Sequence, residues 1–129
     1  MKRACIDTHA LIWHVTRPRK LGRAARRWLR DADAGRAEIL IPAIVPIELA
    51  LLRDVGRDVI GVPQLQALLD GPFVLLPLDL AHAIEFAALG TIADPFDRMI
   101  VAAARVARLP LITADGLVTV LSLVDTIWD

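Results

Sequence analysis

The chain has 129 residues, of which 56% are hydrophobic, and its formal net charge at pH 7 is zero. This length corresponds to one ordinary domain, and an apolar fraction of this size excludes a disordered chain. No apolar run approaches the roughly 18 residues that a membrane span requires, because proline or a charged residue interrupts each candidate stretch. We therefore predict a single domain spanning residues 1–129 that makes no use of a membrane.

The predicted helices and strands alternate along the chain. The clearest helix starts at Leu21, where apolar residues follow the i, i+3, i+4, i+7, i+8 spacing of an amphipathic helix, and it ends at Gly35. Short apolar runs closed by proline, glycine or aspartate predict the strands. In chain order we expect a strand at 3–6, helices at 9–15 and 21–34, a strand at 38–41, helices at 46–56 and 63–69, a strand at 73–76, helices at 80–89 and 94–107, and strands at 109–113 and 124–128.

This order of elements indicates the fold class. Strands separated by helical segments are typical of an α/β domain with a mostly parallel sheet and helices on both faces. We expect about five strands. No repeat or flexible linker divides the chain.

The N-terminal residues and the cysteine count indicate a compartment. Asp7 interrupts the N-terminal stretch before the apolar region of a signal peptide can develop, and Cys5 is the only cysteine. Both observations favour a protein of the reducing cytoplasm.

Two acids directly follow predicted strands. Asp7 comes immediately after the first strand, and Asp115 comes two residues after the 109–113 strand. Ligands of open α/β sheets bind beyond the carboxyl ends of the strands, so both positions are candidates for a functional site. Each acid also has a structural explanation, because aspartate is common in loops and Asp115-Gly116 is an ordinary turn sequence.

Glu48 is a third candidate because of its place on a helical wheel. The wheel sets it with Leu51, Leu52 and Val55, on the side opposite to Arg53, Asp54, Arg57 and Asp58. We therefore expect the carboxylate to face the core, where an ionised group has to be neutralised, paired with a base or bound to a cation. A buried salt bridge or an interaction with the helix dipole is the structural alternative.

A fourth candidate lies at the start of the 94–107 helix. Asp94 is placed to be its N-cap, Pro95 its first residue and Asp97 its third. Capping explains Asp94 and can also explain Asp97. Several carboxylates at one edge of a sheet repel one another unless a divalent cation neutralises them, and oxygen ligands favour Mg²⁺ or Mn²⁺. Zinc is disfavoured because the three histidines and one cysteine show no ligand spacing.

Positive charge is concentrated near the N-terminus. Residues 1–36 contain ten of the 15 Lys and Arg residues and three of the 15 acids, which suggests a surface for a polyanion. The face of the 21–34 helix opposite its apolar stripe can bind phosphates, although a merely solvated face is the alternative. This arginine stripe consists of Arg23, Arg26, Arg27 and Arg30, and a second candidate group on the later helix consists of Arg98, Arg105 and Arg108.

Four motifs taken together resemble the PIN-domain nucleases. They are Asp7-Thr8-His9-Ala10-Leu11-Ile12-Trp13, Glu48 in the helix after the second strand, Asp94-Pro95-Phe96-Asp97-Arg98 ahead of an alanine-rich helix, and Thr113-Ala114-Asp115. Within this family the chain is most similar to the VapC-type ribonuclease toxins of bacterial type II toxin–antitoxin systems. The resemblance covers the whole chain.

The resemblance implies a three-layer α/β/α fold and a metal-dependent endoribonuclease. It puts Asp7, Glu48, Asp97 and Asp115 at the four acidic positions of the active site. Asp7, Asp97 and Asp115 would hold the Mg²⁺ or Mn²⁺ ion. It further implies an RNA substrate, a cognate antitoxin and a homodimer.

The alternatives belong to two other classes of function. A catalytically silent PIN-like module that binds RNA or protein is the principal alternative, and metal titration would separate it from an enzyme. A phosphoaspartyl receiver or small phosphatase is disfavoured, because no Asp-x-Asp follows the first strand and the only lysines are Lys2 and Lys20.

Overall fold

A parallel sheet of five strands forms the centre of the structure, a computed structural model that describes residues 1–129. The spatial order of the strands is β3-β2-β1-β4-β5, and every neighbouring pair is parallel. The strands are β1 (Lys2–Ile6), β2 (Ala37–Pro42), β3 (Phe73–Leu76), β4 (Leu111–Ile112) and β5 (Thr126–Ile127). The predicted fold class is confirmed.

Seven helices connect and cover the strands. They are α1 (Thr8–Thr16), α2 (Arg23–Asp33), α3 (Ile44–Asp54), α4 (Val62–Leu69), α5 (Leu80–Ala88), α6 (Pro95–Ala107) and α7 (Gly116–Leu121), with a 3₁₀ turn at Pro18–Lys20. None of these helices is both long and apolar enough to cross a membrane. Helix α7 was not predicted, because Asp115-Gly116 was interpreted as a turn, whereas the Asp115 side chain accepts hydrogen bonds from two amides that follow it and so starts a helix.

The strand order creates a switch point between β1 and β4. The chain builds the sheet outward from β1 through β2 to β3, then returns to add β4 and β5 on the other side. Loops that leave β1 and β4 therefore diverge to opposite sides, and the crevice between them is where open α/β sheets bind ligands. Asp7 follows β1 directly and Asp115 lies three residues beyond β4, so both acids belong to this crevice.

The core surrounds the central strand β1. Ala4, Cys5 and Ile6 of β1 are fully buried, and the middle of α6 packs its small residues Ala102, Ala103 and Ala104 in the interior. Burial raises the pKa of the Cys5 thiol to about 12, so the thiol is protonated. The site-bearing end of β1 is thereby attached to the best-packed part of the molecule.

The arginine-bearing helix α2 begins against the C-terminal segment. The Trp128 carbonyl accepts a hydrogen bond from the Ala25 amide at 3.1 Å, which satisfies one of the free amides at the start of a helix that has no side-chain cap. Gly22 makes this approach possible, because a Cβ at that position would lie 2.2 Å from the Trp128 carbonyl oxygen. Since Trp128 directly follows β5, the first turn of α2 lies at the same sheet edge as the acids.

We expect Gly22→Ala to lower the free energy of unfolding by about 1–3 kcal/mol, because overpacking would push the Trp128 backbone away from α2. Gly90→Ala is the matched control, since no atom lies within 4 Å of a Cβ built there. Urea denaturation would measure both variants. Equal midpoints for the two variants would contradict the proposed contact.

Candidate active site

Asp7 occupies the centre of the crevice between β1 and β4. Its backbone amide donates to the Ile112 carbonyl at 3.1 Å, which continues the ladder between the two strands. Its side chain caps α1, with Oδ1 accepting from the Ala10 amide at 2.8 Å. Burial raises the pKa of Asp7 above its usual value, although hydrogen bonds from Thr113 and Ala10 partly offset this effect.

The Thr113 hydroxyl joins Asp7 to Asp115. It donates to Asp7 Oδ2 at 2.5 Å and accepts from the Asp115 amide at 3.0 Å. Thr113 is only 1% exposed, so this small network is shielded from water. Asp115 then caps α7, with its Oδ1 accepting from the Leu117 and Val118 amides at 2.9 and 3.2 Å. Both carboxylates are therefore held in fixed orientations by donors.

Glu48 reaches the site from the second turn of α3. Its Oε1 accepts a hydrogen bond from the Thr8 hydroxyl at 2.5 Å, and Thr8 is the residue that follows Asp7. Thr8 and Thr113 stand in two of the motifs that carry the family resemblance, but no role was predicted for either. The sequence signal for both is their place one or two residues from a candidate acid.

The expectation that Glu48 faces the core was wrong. The buried residues of α3 are Val45 and Leu49, whereas Leu51 and Val55 are exposed, the latter by 73%. Glu48 itself is partly exposed. The helical wheel correctly separated an apolar side from a charged side. However, Val45 and Leu49 form a second apolar stripe on α3, and this second stripe packs into the core.

Asp97 lies in the first turn of α6. Asp94 is the N-cap and accepts from the Phe96 and Asp97 amides, both at 2.9 Å, as predicted. The Asp97 carboxylate has no hydrogen-bond donor of its own. Burial, followed by the negative charges of Asp94, Asp115, Asp7 and Glu48, raises the pKa of Asp97 to about 6.

The other three predicted acids all influence Asp97 electrostatically. Asp7 directly follows β1, Glu48 lies in α3 and Asp115 lies in the β4–α7 connection, and the negative charge of each acts on the Asp97 carboxyl group. The structure contains no group of three or more acidic, histidine or cysteine side chains that is arranged to hold a metal ion. The donor set nevertheless fits a hard divalent cation that keeps several of its waters, because Mg²⁺ usually takes only one or two carboxylates directly.

The arginine stripe is exposed and forms no ion pair. Arg23, Arg26, Arg27 and Arg30 all face solvent, and none pairs with a carboxylate. Arg23 and Arg26 lie at the N-terminal end of α2, where the helix dipole is positive and a cation is unfavourable unless an anion binds nearby.

The second group of arginines is partly committed to structure, which is a correction to its interpretation as a phosphate site. Arg98 donates to the Phe86 and Ala87 carbonyls, and Arg105 binds Glu85 and the Leu123 carbonyl. These bonds attach α6 to α5 and to the segment before β5. These bonds hold the Arg98 and Arg105 side chains within the protein, which disfavours their use as a phosphate site.

Comparison with known families identifies the fold. The family model of the PIN domain matches residues 4–117, and the chain belongs to that family. The resemblance noted from the four motifs is thereby confirmed. A sequence comparison with curated proteins found no match.

Several solved structures share this fold. VapBC2 from Rickettsia felis, bound to a DNA fragment from its promoter, has a TM-score of 0.72 at 16% identity, over 98% of this chain and 99% of that one. A toxin–antitoxin complex from Klebsiella pneumoniae has a TM-score of 0.62 at 23% identity, over 87% and 86% of the two chains. FitAcB from Neisseria gonorrhoeae has a TM-score of 0.65 at 19% identity and covers 95% of each chain.

We expect the raised pKa of Asp97 to make the stability of the metal-free chain fall as pH rises from about 4 to about 6. The folded chain holds this proton more tightly than the unfolded chain, whose carboxyl has the ordinary value of 3.8, so deprotonation in this window disfavours folding. Asp97→Asn should therefore have a higher urea midpoint than the parent at pH 7 in the presence of a chelator, and the difference should vanish near pH 3.5.

Asp125→Asn is the control for this experiment. Asp125 is an exposed acid that precedes β5 at the opposite edge of the sheet. A difference between Asp97→Asn and the parent that does not change with pH would contradict the electrostatic account.

Proposed function

We propose that the chain is a metal-dependent endoribonuclease that acts as the toxin of a toxin–antitoxin pair. The observation that supports the proposal is the pKa of Asp97 at the switch point of a PIN domain, which burial and the negative charges of Asp94, Asp115, Asp7 and Glu48 together raise to about 6. Evolution rarely keeps like charges together unless a cation or a reaction uses them, because their repulsion opposes folding. The toxin–antitoxin systems among the structures of similar fold support the biological setting.

The ion in this proposal is Mg²⁺ or Mn²⁺. Asp97 is the first ligand because its carboxylate has no competing donor, and Asp7 and Asp115 complete the set directly or through water. Each oxygen of Asp7 accepts one hydrogen bond and keeps a second lone pair, so capping and ligation are compatible. When bound, the ion would neutralise charge on the phosphodiester during its hydrolysis.

The chain's own residues have separate tasks. The Thr113 hydroxyl and the Ala10 amide fix the plane of the Asp7 carboxylate. The Thr8 hydroxyl fixes one oxygen of Glu48, whose other oxygen is free to accept a proton from a water molecule. Glu48 thus orients the attacking water, while the carboxylates of the crevice hold the ion.

We expect Asp97→Asn and Glu48→Gln each to lower the RNA cleavage rate at least about 100-fold, the lower limit typical of a lost general base or charge-stabilising group. Both amides keep the volume of the side chain and remove its charge. Cleavage of a labelled single-stranded RNA in Mg²⁺ or Mn²⁺, followed on a gel, would measure the effect. Asp125→Asn should cleave as the parent does.

A binding experiment separates the enzyme from a silent module. Mn²⁺ at about 100 times its dissociation constant should stabilise the parent by about 2.7 kcal/mol, and Asp97→Asn much less. A parent chain that is neither stabilised by Mn²⁺ nor active on RNA would contradict the proposed function.

The arginine stripe of α2 is proposed to bind the phosphates of the RNA. Arg23 and Arg26 lie at the acid edge of the sheet, and Arg30 lies about 10 Å further along the helix. This spacing lets one strand of RNA follow the helix away from the site of cleavage. The lack of ion pairs leaves each guanidinium free for a phosphate.

Replacing the four arginines by glutamine should weaken RNA binding and leave stability nearly unchanged, because glutamine keeps the helix propensity. Each lost contact with a phosphate should reduce the slope of log affinity against log salt by about 0.7 for a single strand. Fluorescence anisotropy across a salt series would measure this slope. Asp7→Asn should instead stop cleavage and keep RNA affinity. If the arginine variant shows the parental salt slope, the stripe does not bind phosphates and is only a solvated helix face.

An antitoxin and a second copy of the chain are the proposed protein partners. Exposed apolar side chains that could bind them are present on two helices. They are Ile47 and Leu51 of α3, Val55 directly after α3, and Leu80 and Ile84 of α5. Surfaces of this kind on a small domain are typical of protein–protein contacts.

A further inference from the structure

A cavity of about 320 Å³ lies between α1 and the segment that leaves α3. His9 and Trp13 form its wall on α1, and Leu52 closes it on α3. Two of its lining residues are close in sequence to acids of the site, because His9 is two residues beyond Asp7 and Leu52 is one helical turn beyond Glu48. The function proposed above assigns no role to this space.

Aromatic rings continue from the cavity towards the C-terminal segment. The His9 and Trp13 ring centroids are 6.1 Å apart, and those of Trp13 and Trp128 are 5.8 Å apart. The Lys20 ammonium lies 5.4 Å from the centre of the Trp13 ring. This row of rings leads from the acids to the start of α2, where the arginine stripe begins.

The mouth of the cavity is positively charged. Arg17 and Arg57 line it, both are exposed, and neither forms an ion pair. Asp58 is the single carboxylate among the lining residues. Aromatic walls between unpaired guanidinium groups are the features by which proteins hold single-stranded nucleic acid, since bases stack on the rings and phosphates bind the cations.

We propose that this cavity is a subsite for one nucleobase of single-stranded RNA, which stacks on Trp13 while Arg17 and Arg57 bind the adjacent phosphates. The inference rests on the proposed ribonuclease function and extends it. A base held here sets which phosphodiester enters the crevice, because the cavity adjoins Asp7 and Glu48 through α1 and α3. The subsite is thus a determinant of the position of cleavage.

The test compares two single-stranded RNAs of 12 nucleotides, one intact and one with every base removed, by fluorescence anisotropy at constant salt. The two strands carry the same phosphates and differ in the presence of bases. We expect the parent chain to bind the abasic strand about 5- to 150-fold more weakly, the range for loss of one stacked base. Trp13→Leu should bind both strands alike, and Trp28→Leu, which removes an indole at the opposite edge of the sheet beside Lys2, should discriminate as the parent does.

A second variant tests the cavity without disturbing packed residues. Arg57→Gln should weaken binding of the intact strand and reduce its salt slope by about 0.7. Arg36→Gln is its control, since Arg36 is exposed, lies at the opposite edge of the sheet just before β2, and already pairs with Asp31. Melting curves would establish that each variant is folded.

Two results would overturn the proposal. One is equal affinity of the parent for the intact and abasic strands, which would mean that the cavity binds a protein side chain and not a base. The other is an Arg57→Gln variant with parental affinity and salt slope. The proposed function has its own readout, because a parent that cleaves intact RNA but fails either comparison retains the ribonuclease and loses only the subsite.

Discussion

The candidate active site depends on holding negatively charged side chains together at the switch point of a parallel sheet. Three helices start there with aspartate caps, namely Asp7 before α1, Asp94 before α6 and Asp115 before α7. Free backbone amides at helix N-termini carry partial positive charge, so they stabilise carboxylates that would otherwise repel one another. Local helix capping thus offsets much of the electrostatic cost of the site, and the buried Thr113 hydroxyl adds a donor shared between two of its acids.

This division of donors distinguishes the acids from one another. Asp7, Asp94 and Asp115 each accept hydrogen bonds from amides, and Glu48 accepts one from a hydroxyl. Asp97 is partly buried, has no donor and bears the repulsion of the others, and together these explain why its pKa is raised to about 6. Helix capping explains the other aspartates but does not explain Asp97. The least compensated carboxylate is where a cation gains most.

Features set by neighbouring residues could be predicted from the sequence, and features set by distant contacts could not. The Asp94 cap and the amphipathic pattern of α2 are local, and both are confirmed. The Thr8–Glu48 and Thr113–Asp7 hydrogen bonds join residues 40 and 106 positions apart, so no sequence pattern indicated them. The error on α3 has a related cause, because a wheel describes which residues share a side and not which side meets the sheet.

The buried thiol of Cys5 gives this chain an internal reporter. Thiolate is the form that reacts with alkylating agents and oxidants, and a pKa of about 12 leaves almost none of it in the folded chain. Cys5 lies in β1 between two neighbouring strands and is fully buried, two residues before Asp7. A thiol reagent therefore reaches it only when the central strand opens, and its rate of labelling counts the openings of the strand that carries the first acid of the site.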